Sequence, residues 1–240
     1  MSMARKALEM TQAAAEAIVQ RAEARFSANR KESLASTDRM FAGLMLAQWA
    51  FAIFIALVFS PYGWQGKTKA VHMHVWVALL LGAVISSLPV ALAWLRPGET
   101  LTRHTIAVGQ MLWSALLIHL SGGRIETHFH VFGSLAFLSF YRDWPVLITA
   151  TVVVATDHLL RGILWPESVY GITNPEWWRF LEHAFWVVFC ISVLIPSCMR
   201  GVKDMRVMAE RGAELEALSE NQWRNQSVLE RAANDDHSDR

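Results

Sequence analysis

Residues 74–95 read HVWVALLLGAVISSLPVALAWL, a stretch of 22 residues without Asp, Glu, Lys or Arg. A helix needs about 20 mostly apolar residues to cross the hydrocarbon core of a membrane. An exposed strand edge would leave backbone groups unpaired in lipid, so a lone segment of this kind has to be helical. We therefore predict a transmembrane helix here.

Five further apolar segments lie between turns marked by Gly, Pro or charged residues. The predicted spans are Met40–Phe59, His74–Leu95, Ile106–Leu120, His130–Tyr141, Val146–Leu164 and Phe180–Met199. The fourth is short for a span. The pattern predicts an all-α polytopic membrane protein, a six-helix transmembrane bundle with N- and C-terminal cytoplasmic helices.

The composition agrees with a membrane protein and excludes several other classes. Hydrophobic residues make up 53% of the 240 residues, and charged residues make up 18%. The 22 basic residues nearly balance the 21 acidic ones, so the chain lacks the basic excess of a nucleic-acid-binding protein. Two cysteines exclude a disulfide framework. The apolar content excludes disorder over most of the chain.

The distribution of Lys and Arg predicts the orientation. With the N-terminus in the cytoplasm, 17 of the 22 basic residues fall on cytoplasmic segments and 5 on the outer side. Cytoplasmic loops carry the excess of positive charge in membrane proteins. We therefore expect a multi-pass protein of the bacterial inner membrane with both termini in the cytoplasm.

Charged helical segments flank the membrane domain. Leu215 and Leu218 belong to a weak, partly polar heptad seam that also includes Met208, Arg211, Gln222, Asn225 and Leu229. Such a seam predicts either a solvated helix or a signalling stalk that pairs in a homodimer.

The predicted domains are a cytoplasmic amphipathic helix over 1–39, a membrane domain over 40–200, a coiled-coil-like stalk over 201–231 and a disordered tail over 232–240.

Histidines carry the chemistry of the predicted membrane domain. Eight of the nine lie in or beside the spans, and seven of these fall near the outer leaflet, whereas His104 falls on the cytoplasmic side. The seven are His72, His74, His119, His128, His130, His158 and His183. Ionisable groups inside a bilayer are costly and usually functional. We expect these imidazoles to share one metal or haem site. A metal-free, proton-sensing cluster is the alternative.

Three carboxylates, Glu126, Asp157 and Glu182, each precede a histidine or lie close to one. A metal-bound imidazole usually donates its second ring N–H to a carboxylate or a carbonyl. Adjacent helical residues point about 100° apart, so each carboxylate would orient a ligand on a neighbouring helix. Asp157 and Arg161 have the spacing of a local ion pair.

Two His-x-His pairs, His72 with His74 and His128 with His130, lie at the starts of spans. On a helix the members of such a pair face about 200° apart, so only an extended segment would let both bind one ion. Imidazole-rich sites suit first-row metals. We favour copper or iron, with zinc as a further choice. A b-type haem, which needs two facing histidines, is the alternative.

The block Glu126–Arg142, which reads ETHFHVFGSLAFLSFYR, together with Asp157-His158 and Glu182-His183, resembles a known family. It resembles the multi-span N-terminal membrane input region of bacterial sensor histidine kinases and related signalling proteins. The resemblance covers roughly residues 40–215. It implies spans that feed a coiled linker into a catalytic or adaptor domain. Too few residues follow for a kinase core, so we expect either a shortened relative with a cytoplasmic signalling partner or an input module normally fused to a kinase.

These observations favour a membrane sensory module in which a metal or haem site near the outer leaflet acts through span six on a cytoplasmic helix. The alternative is a histidine-liganded membrane metalloenzyme or a b-type haem oxidoreductase. No catalytic motif such as a phosphate-binding loop or a nucleophile elbow is present in the sequence. We expect the lipid bilayer, a second copy of the chain and a signalling protein as partners, and no nucleic acid.

Overall fold

The computed structural model describes residues 3–238, and 86% of the chain is helical. The helices are α1 (Met3–Phe59), α2 (Met73–Leu95), α3 (Thr100–Leu120), α4 (Ile125–Leu138), α5 (Trp144–Leu164), α6 (Glu167–Tyr170) and α7 (Arg179–Ser238). Two strands, β1 (Tyr62–Gln65) and β2 (Thr68–Val71), follow α1, and a 3₁₀ turn spans Ser139–Tyr141. The chain divides into two compact units, Lys31–Arg200 and Met1–Arg30 with Gly201–Arg240.

The strands form a short antiparallel hairpin, which the all-α prediction did not include. Gln65 pairs with Thr68, so the turn has two residues, and its first residue is Gly66 with φ of 64°. Two-residue hairpin turns require positive φ at this position, and glycine adopts it without strain. Tyr62 and Trp64 on β1, and Thr68 and Val71 on β2, are residue types that favour strands over loops.

Four of the described helices are long and apolar enough to cross a membrane, namely Leu8–Phe59, Met73–Leu95, Trp144–Leu164 and Arg179–Arg231. The predicted third and fourth spans correspond to α3 and α4, which are not among the four. The six-span arrangement and the cytoplasmic position of both termini therefore stay predictions.

Length and polarity explain why α3 and α4 differ from the other helices. α4 has 14 residues, which is about 21 Å of helix against a hydrocarbon core of about 30 Å. α3 contains Arg103, His104 and Gln110, yet it supplies more buried residues than any other helix in the unit Lys31–Arg200. Because protein surrounds α3, its polar side chains find partners within the fold.

The core of this unit consists of apolar side chains from α1, α2, α3, α4, α5 and α7, with Trp113 and Met111 of α3 fully buried. Two turns that contain glycine contact each other in this unit. Gly123, with φ of 75°, precedes α4, and its backbone lies against that of Gly171, which follows α6. An added Cβ at Gly123 would come within 2.2 Å of the Gly171 nitrogen. The close approach places the start of α4 beside the end of α6.

A buried carboxylate joins α1 to two turns of the same unit. Asp38 is fully buried, and it accepts hydrogen bonds from the Tyr141 hydroxyl at 2.7 Å and from the Gly98 N–H at 2.6 Å. The ring of Tyr141 stacks on Phe41 with centroids 5.5 Å apart. These contacts hold α1 against the turns before α3 and before α5.

In the second unit, the start of α1 pairs with the C-terminal part of α7. Small side chains, including Ala209 and Ala213, are buried between the helices, and Gly212 leaves room for the Arg25 side chain. Ion pairs flank the contact. They join Arg21 to Glu220 at 2.8 Å, Arg206 to Glu23 at 2.6 Å, and Arg25 to Glu216.

The predicted domain boundaries at 39/40, 200/201 and 231/232 all fall inside long helices, and the boundaries stay predictions. α1 continues without a break through residue 39, and α7 continues through Pro196 and residue 231. The segment 232–240 was expected to be disordered. Its described part is helical to Ser238, and residues 239 and 240 lie outside the described residues.

We predict that Tyr141→Phe destabilises the fold by about 1–3 kcal/mol, because it removes a hydrogen bond from a buried carboxylate. The free energy of unfolding in mixed micelles measures the effect. Tyr62→Phe, on the exposed hairpin, is the matched control and should change stability by less than about 0.5 kcal/mol. Equal stability of the two variants would show that the Asp38–Tyr141 bond is not structural.

Candidate functional site

Three of the seven predicted histidines come together from three helices. His128 of α4, His158 of α5 and His183 of α7 have ring centroids 5.6, 5.3 and 5.8 Å apart for the pairs 128–158, 128–183 and 158–183. His128 and His158 are each 5% exposed, and His183 is half-buried. We call this group the histidine triad.

Every ring of the triad uses Nδ1 in the same way. Each Nδ1 lies within hydrogen-bond distance of the backbone carbonyl four residues earlier on its own helix. The acceptors are the oxygens of Arg124 at 2.9 Å for His128, Val154 at 3.1 Å for His158 and Arg179 at 2.9 Å for His183. A carbonyl oxygen only accepts, so Nδ1 carries the proton in each ring. In the neutral imidazole Nε2 is then left with a lone pair.

The environment of the triad is apolar. A cavity of about 90 Å³ adjoins the three rings, and its other walls include Val131, Phe132 and Val154. The Nε2 atom of His128 is buried and has no hydrogen-bond partner among residues 3–238. A buried polar atom without a partner costs about 1–3 kcal/mol, so this lone pair calls for an ion or a hydrogen-bond donor.

The distances between the three rings are close to those in a metal site, but the rings are not oriented to hold a metal ion. Three imidazoles on a tetrahedral ion, about 2.0 Å from metal to nitrogen, place their ring centres about 5 Å apart. Within residues 3–238, however, no group of three or more His, Cys, Asp or Glu side chains is arranged to hold a metal ion. Metal binding at the triad would therefore require the rings to turn.

A second histidine group lies beside the hairpin. The rings of His72 and His74 are 4.4 Å apart, and those of His74 and His119 are 5.1 Å apart. His72 caps α2, because its Nδ1 accepts the His74 backbone N–H at 3.1 Å. The neutral His72 ring therefore carries its proton on Nε2, the opposite tautomer from the triad. This arrangement is less suited to metal binding through Nε2.

A chain of polar contacts links the second group to the triad. His119 Nδ1 lies 2.9 Å from Ser168 Oγ, which also accepts from Arg161 at 2.8 Å. Arg161 donates two hydrogen bonds to Asp157, at 2.7 and 2.6 Å, which is the local ion pair that the spacing predicted. Asp157 Oδ2 lies 3.3 Å from Nδ1 of His158. Asp157 thus contacts its own neighbour instead of a histidine on another helix.

His130 lies in neither group but in a buried glutamine network. Its Nε2 lies 2.9 Å from the Gln48 amide nitrogen, which also donates to Gln110 at 2.9 Å. Gln110 returns a bond to Gln48 at 3.0 Å. Since the amide donates to Nε2, His130 carries its proton on Nδ1 and donates to Ser114 Oγ at 2.8 Å. Ser134 donates to Gln110 at 3.1 Å.

The structure therefore divides the seven histidines among three places instead of one. His128 and His130 both lie on α4 and enter different sites, because helical residues two apart face about 200° apart. Glu126 pairs with Arg124 at 3.2 Å, and Glu182 is exposed. Among residues 3–238, neither carboxylate forms a hydrogen bond with an imidazole of the triad. Backbone carbonyls hold the rings instead.

Sequence reasoning missed Gln48, Gln110, Ser114, Ser134 and Ser168. The first four are polar residues inside predicted spans. That position was the available signal, because polar groups at such depth need a partner. Ser168 follows the predicted fifth span, where a serine carries no signal of its own.

Comparisons with known proteins add one relative. The chain is 34% identical over 135 residues to the transducer protein Htr8 of Halobacterium salinarum, an alignment that covers 51% of this chain and 20% of the relative. The matched part is thus about one fifth of the relative's length. No family model matches this chain, and no solved structure matches it.

We predict that Gln48→Leu destabilises the fold by about 1–3 kcal/mol, because it leaves polar atoms of Gln110 and His130 unpaired. Gln48→Leu with Gln110→Leu should cost less than the sum of the single variants by about 0.5–3 kcal/mol, as expected for a coupled pair. Unfolding in mixed micelles measures all three variants. Ser87→Ala, at an exposed serine of α2, is the control. Additive effects would contradict a shared network.

Proposed function

We propose that this chain is the membrane input part of a signalling protein and that the histidine triad binds a first-row transition metal ion as its sensing element. The relationship to a transducer protein supports the signalling role. The four apolar helices support a membrane location, which we take to be the plasma membrane with both termini in the cytoplasm. A cytoplasmic signalling protein, or a kinase fused to this module, would receive the signal.

One observation carries the metal proposal, namely that all three triad rings donate Nδ1–H to a backbone carbonyl. Metal-binding histidines commonly use their second nitrogen in this way, which holds the ring in one tautomer and leaves Nε2 free to bind. Three helices contribute one ring each. Small side-chain rotations that turn the Nε2 atoms towards a common point would complete the site.

The donor set and the cavity narrow the choice of ligand. Three imidazoles suit copper, iron or zinc and leave a coordination position open for a further molecule. A cavity of about 90 Å³ is much smaller than a porphyrin. An ion therefore fits the triad better than haem b. An open position would also serve a metallo-oxidoreductase, and turnover with oxygen and a reductant would favour that enzyme over a sensor.

Helix α7 would carry the signal. Only 6% of its most apolar window is buried, the smallest share among the four apolar helices. The ring of His183 on α7 lies beside the rings of His128 on α4 and His158 on α5. An ion shared by the three rings would draw this part of α7 towards α4 and α5. The same helix continues to Ser238 and includes the proposed stalk.

We expect purified protein to contain about one transition metal ion per chain, since the triad is a single three-nitrogen site. His158→Ala and His183→Ala should each lower the metal content at least about tenfold, because two imidazoles bind far more weakly than three. Elemental analysis and an absorption spectrum check this. His104→Ala, whose ring contacts Thr149 instead, is the control. Full occupancy in both triad variants would contradict the proposal, and a Soret band would favour haem.

The stalk offers a surface for a second copy of the chain. Met208, Leu215, Leu218 and Leu229 are all more than 60% exposed, although they follow heptad spacing. The contact with α1 uses another face of the helix, which contains Ala209 and Ala213. A parallel homodimer would bury the exposed seam, as heptad spacing favours.

We predict that Leu215→Glu with Leu218→Glu weakens dimerisation at least about tenfold, because it places like charges in the seam. Native mass spectrometry from lipid nanodiscs measures the dimer. Ala217→Glu with Arg224→Glu makes the same helix more negative by three charges, against two for the seam variant, at positions away from the seam, and should leave the dimer intact. Dimers of equal strength in both double variants would show that the seam is not the interface.

A further inference from the structure

A groove of about 880 Å³ lies on the outside of the triad, between α4 and α7. It shares the side chains of His128, Phe132 and His183 with the small cavity. Phe129, Trp186 and Phe189 also line it and are each more than half exposed. In a membrane, such a groove would open to the lipid, so a molecule could approach the triad without crossing water.

The groove changes in polarity along its length. Arg179, Glu182 and His183 line one end, and Val193 and Leu194 line the other. His183 and Leu194 are eleven residues apart on α7, which is about 16 Å along the helix. An elongated molecule with a polar head and an apolar tail of this length fits the gradient.

The hydrogen-bonding state of the triad determines which polar head group would bind in the groove. His128 Nε2 is a buried lone pair without a partner, and His183 presents the same tautomer. A carbonyl, carboxylate or phosphate offers only acceptors to these nitrogens, whereas a hydroxyl can donate to them. Aromatic walls favour a flat ring over a simple chain alcohol, because rings stack edge to face or offset against each other.

We propose that the α4–α7 groove binds a lipid-soluble hydroquinone, with its hydroxyl group at His128 and His183 and its tail along Phe189, Val193 and Leu194. The assignment rests on the proposed sensing site and names the class of molecule that reaches it. The hydroxyl donates to Nε2 of His128, which is buried behind the groove wall, so the His128 ring turns towards the groove when the head binds.

The test uses the full chain in lipid nanodiscs under anaerobic conditions, with 2-decylhydroquinone and its dimethyl ether as probes. The two probes share the ring and the tail, but the ether has no hydroxyl to donate. We expect saturable binding of the hydroquinone and at least about tenfold weaker binding of the ether, as measured by equilibrium dialysis. Equal binding of both probes, or of neither because membrane lipid occupies the groove, would overturn the proposal.

Groove variants separate this site from the metal site. Cys190→Trp and Val193→Trp each place an indole in the groove away from the cavity lining. We expect each to weaken hydroquinone binding at least about tenfold while metal content stays unchanged. Leu181→Trp, on an exposed part of α7 outside both linings, should bind normally. Undiminished binding in both groove variants would overturn the proposal. Absence of metal together with normal discrimination between the probes would refute the metal proposal alone and support this one.

Discussion

The triad depends on one constraint, which is that an imidazole in a dry interior must find a partner for each nitrogen. His128, His158 and His183 satisfy Nδ1 within their own helices, through a carbonyl one turn earlier. That choice fixes the tautomer without help from another helix. It also leaves Nε2 of His128 buried without a hydrogen-bond partner among the residues that the structure describes.

His130 shows the opposite solution to the same constraint. It lies two residues from His128 on α4, yet both of its nitrogens have partners, one in Gln48 and one in Ser114. A fully connected polar network stabilises a buried imidazole but leaves no lone pair for a ligand. The contrast between neighbouring histidines of one helix therefore separates a structural role from a candidate binding role.

Much of this could be predicted from the sequence, because it depends on local spacing. The apolar lengths predicted helices at His74–Leu95 and Val146–Leu164, where the structure has Met73–Leu95 and Trp144–Leu164, and helical spacing puts His128 and His130 on different faces of α4. The acceptors of the Nδ1 protons could not be predicted, since every residue has a carbonyl and only the rotamer selects one. Nor could the sequence show that α3 is surrounded by protein, because packing around a helix depends on contacts far apart in the chain. Polar residues in α3, such as Gln110, were the visible sign of it.

Helix α7 has the smallest buried share of the four apolar helices, and the proposed function requires it to move. Its apolar window has few fully buried residues, but Val187 and Cys198 belong to the core of the unit, so a shift relative to α4 and α5 has to work against that packing. Changing a two-state equilibrium from 1:99 to 99:1 needs about 5.5 kcal/mol of differential binding. Structural zinc sites release about 10–16 kcal/mol. An ion that bound the three rings in only one position of α7 would thus have ample free energy, whereas a ligand that contacted α4 and α5 alone would bind equally in both positions and shift nothing. Under the proposed function, signalling therefore requires His183 among the ligands.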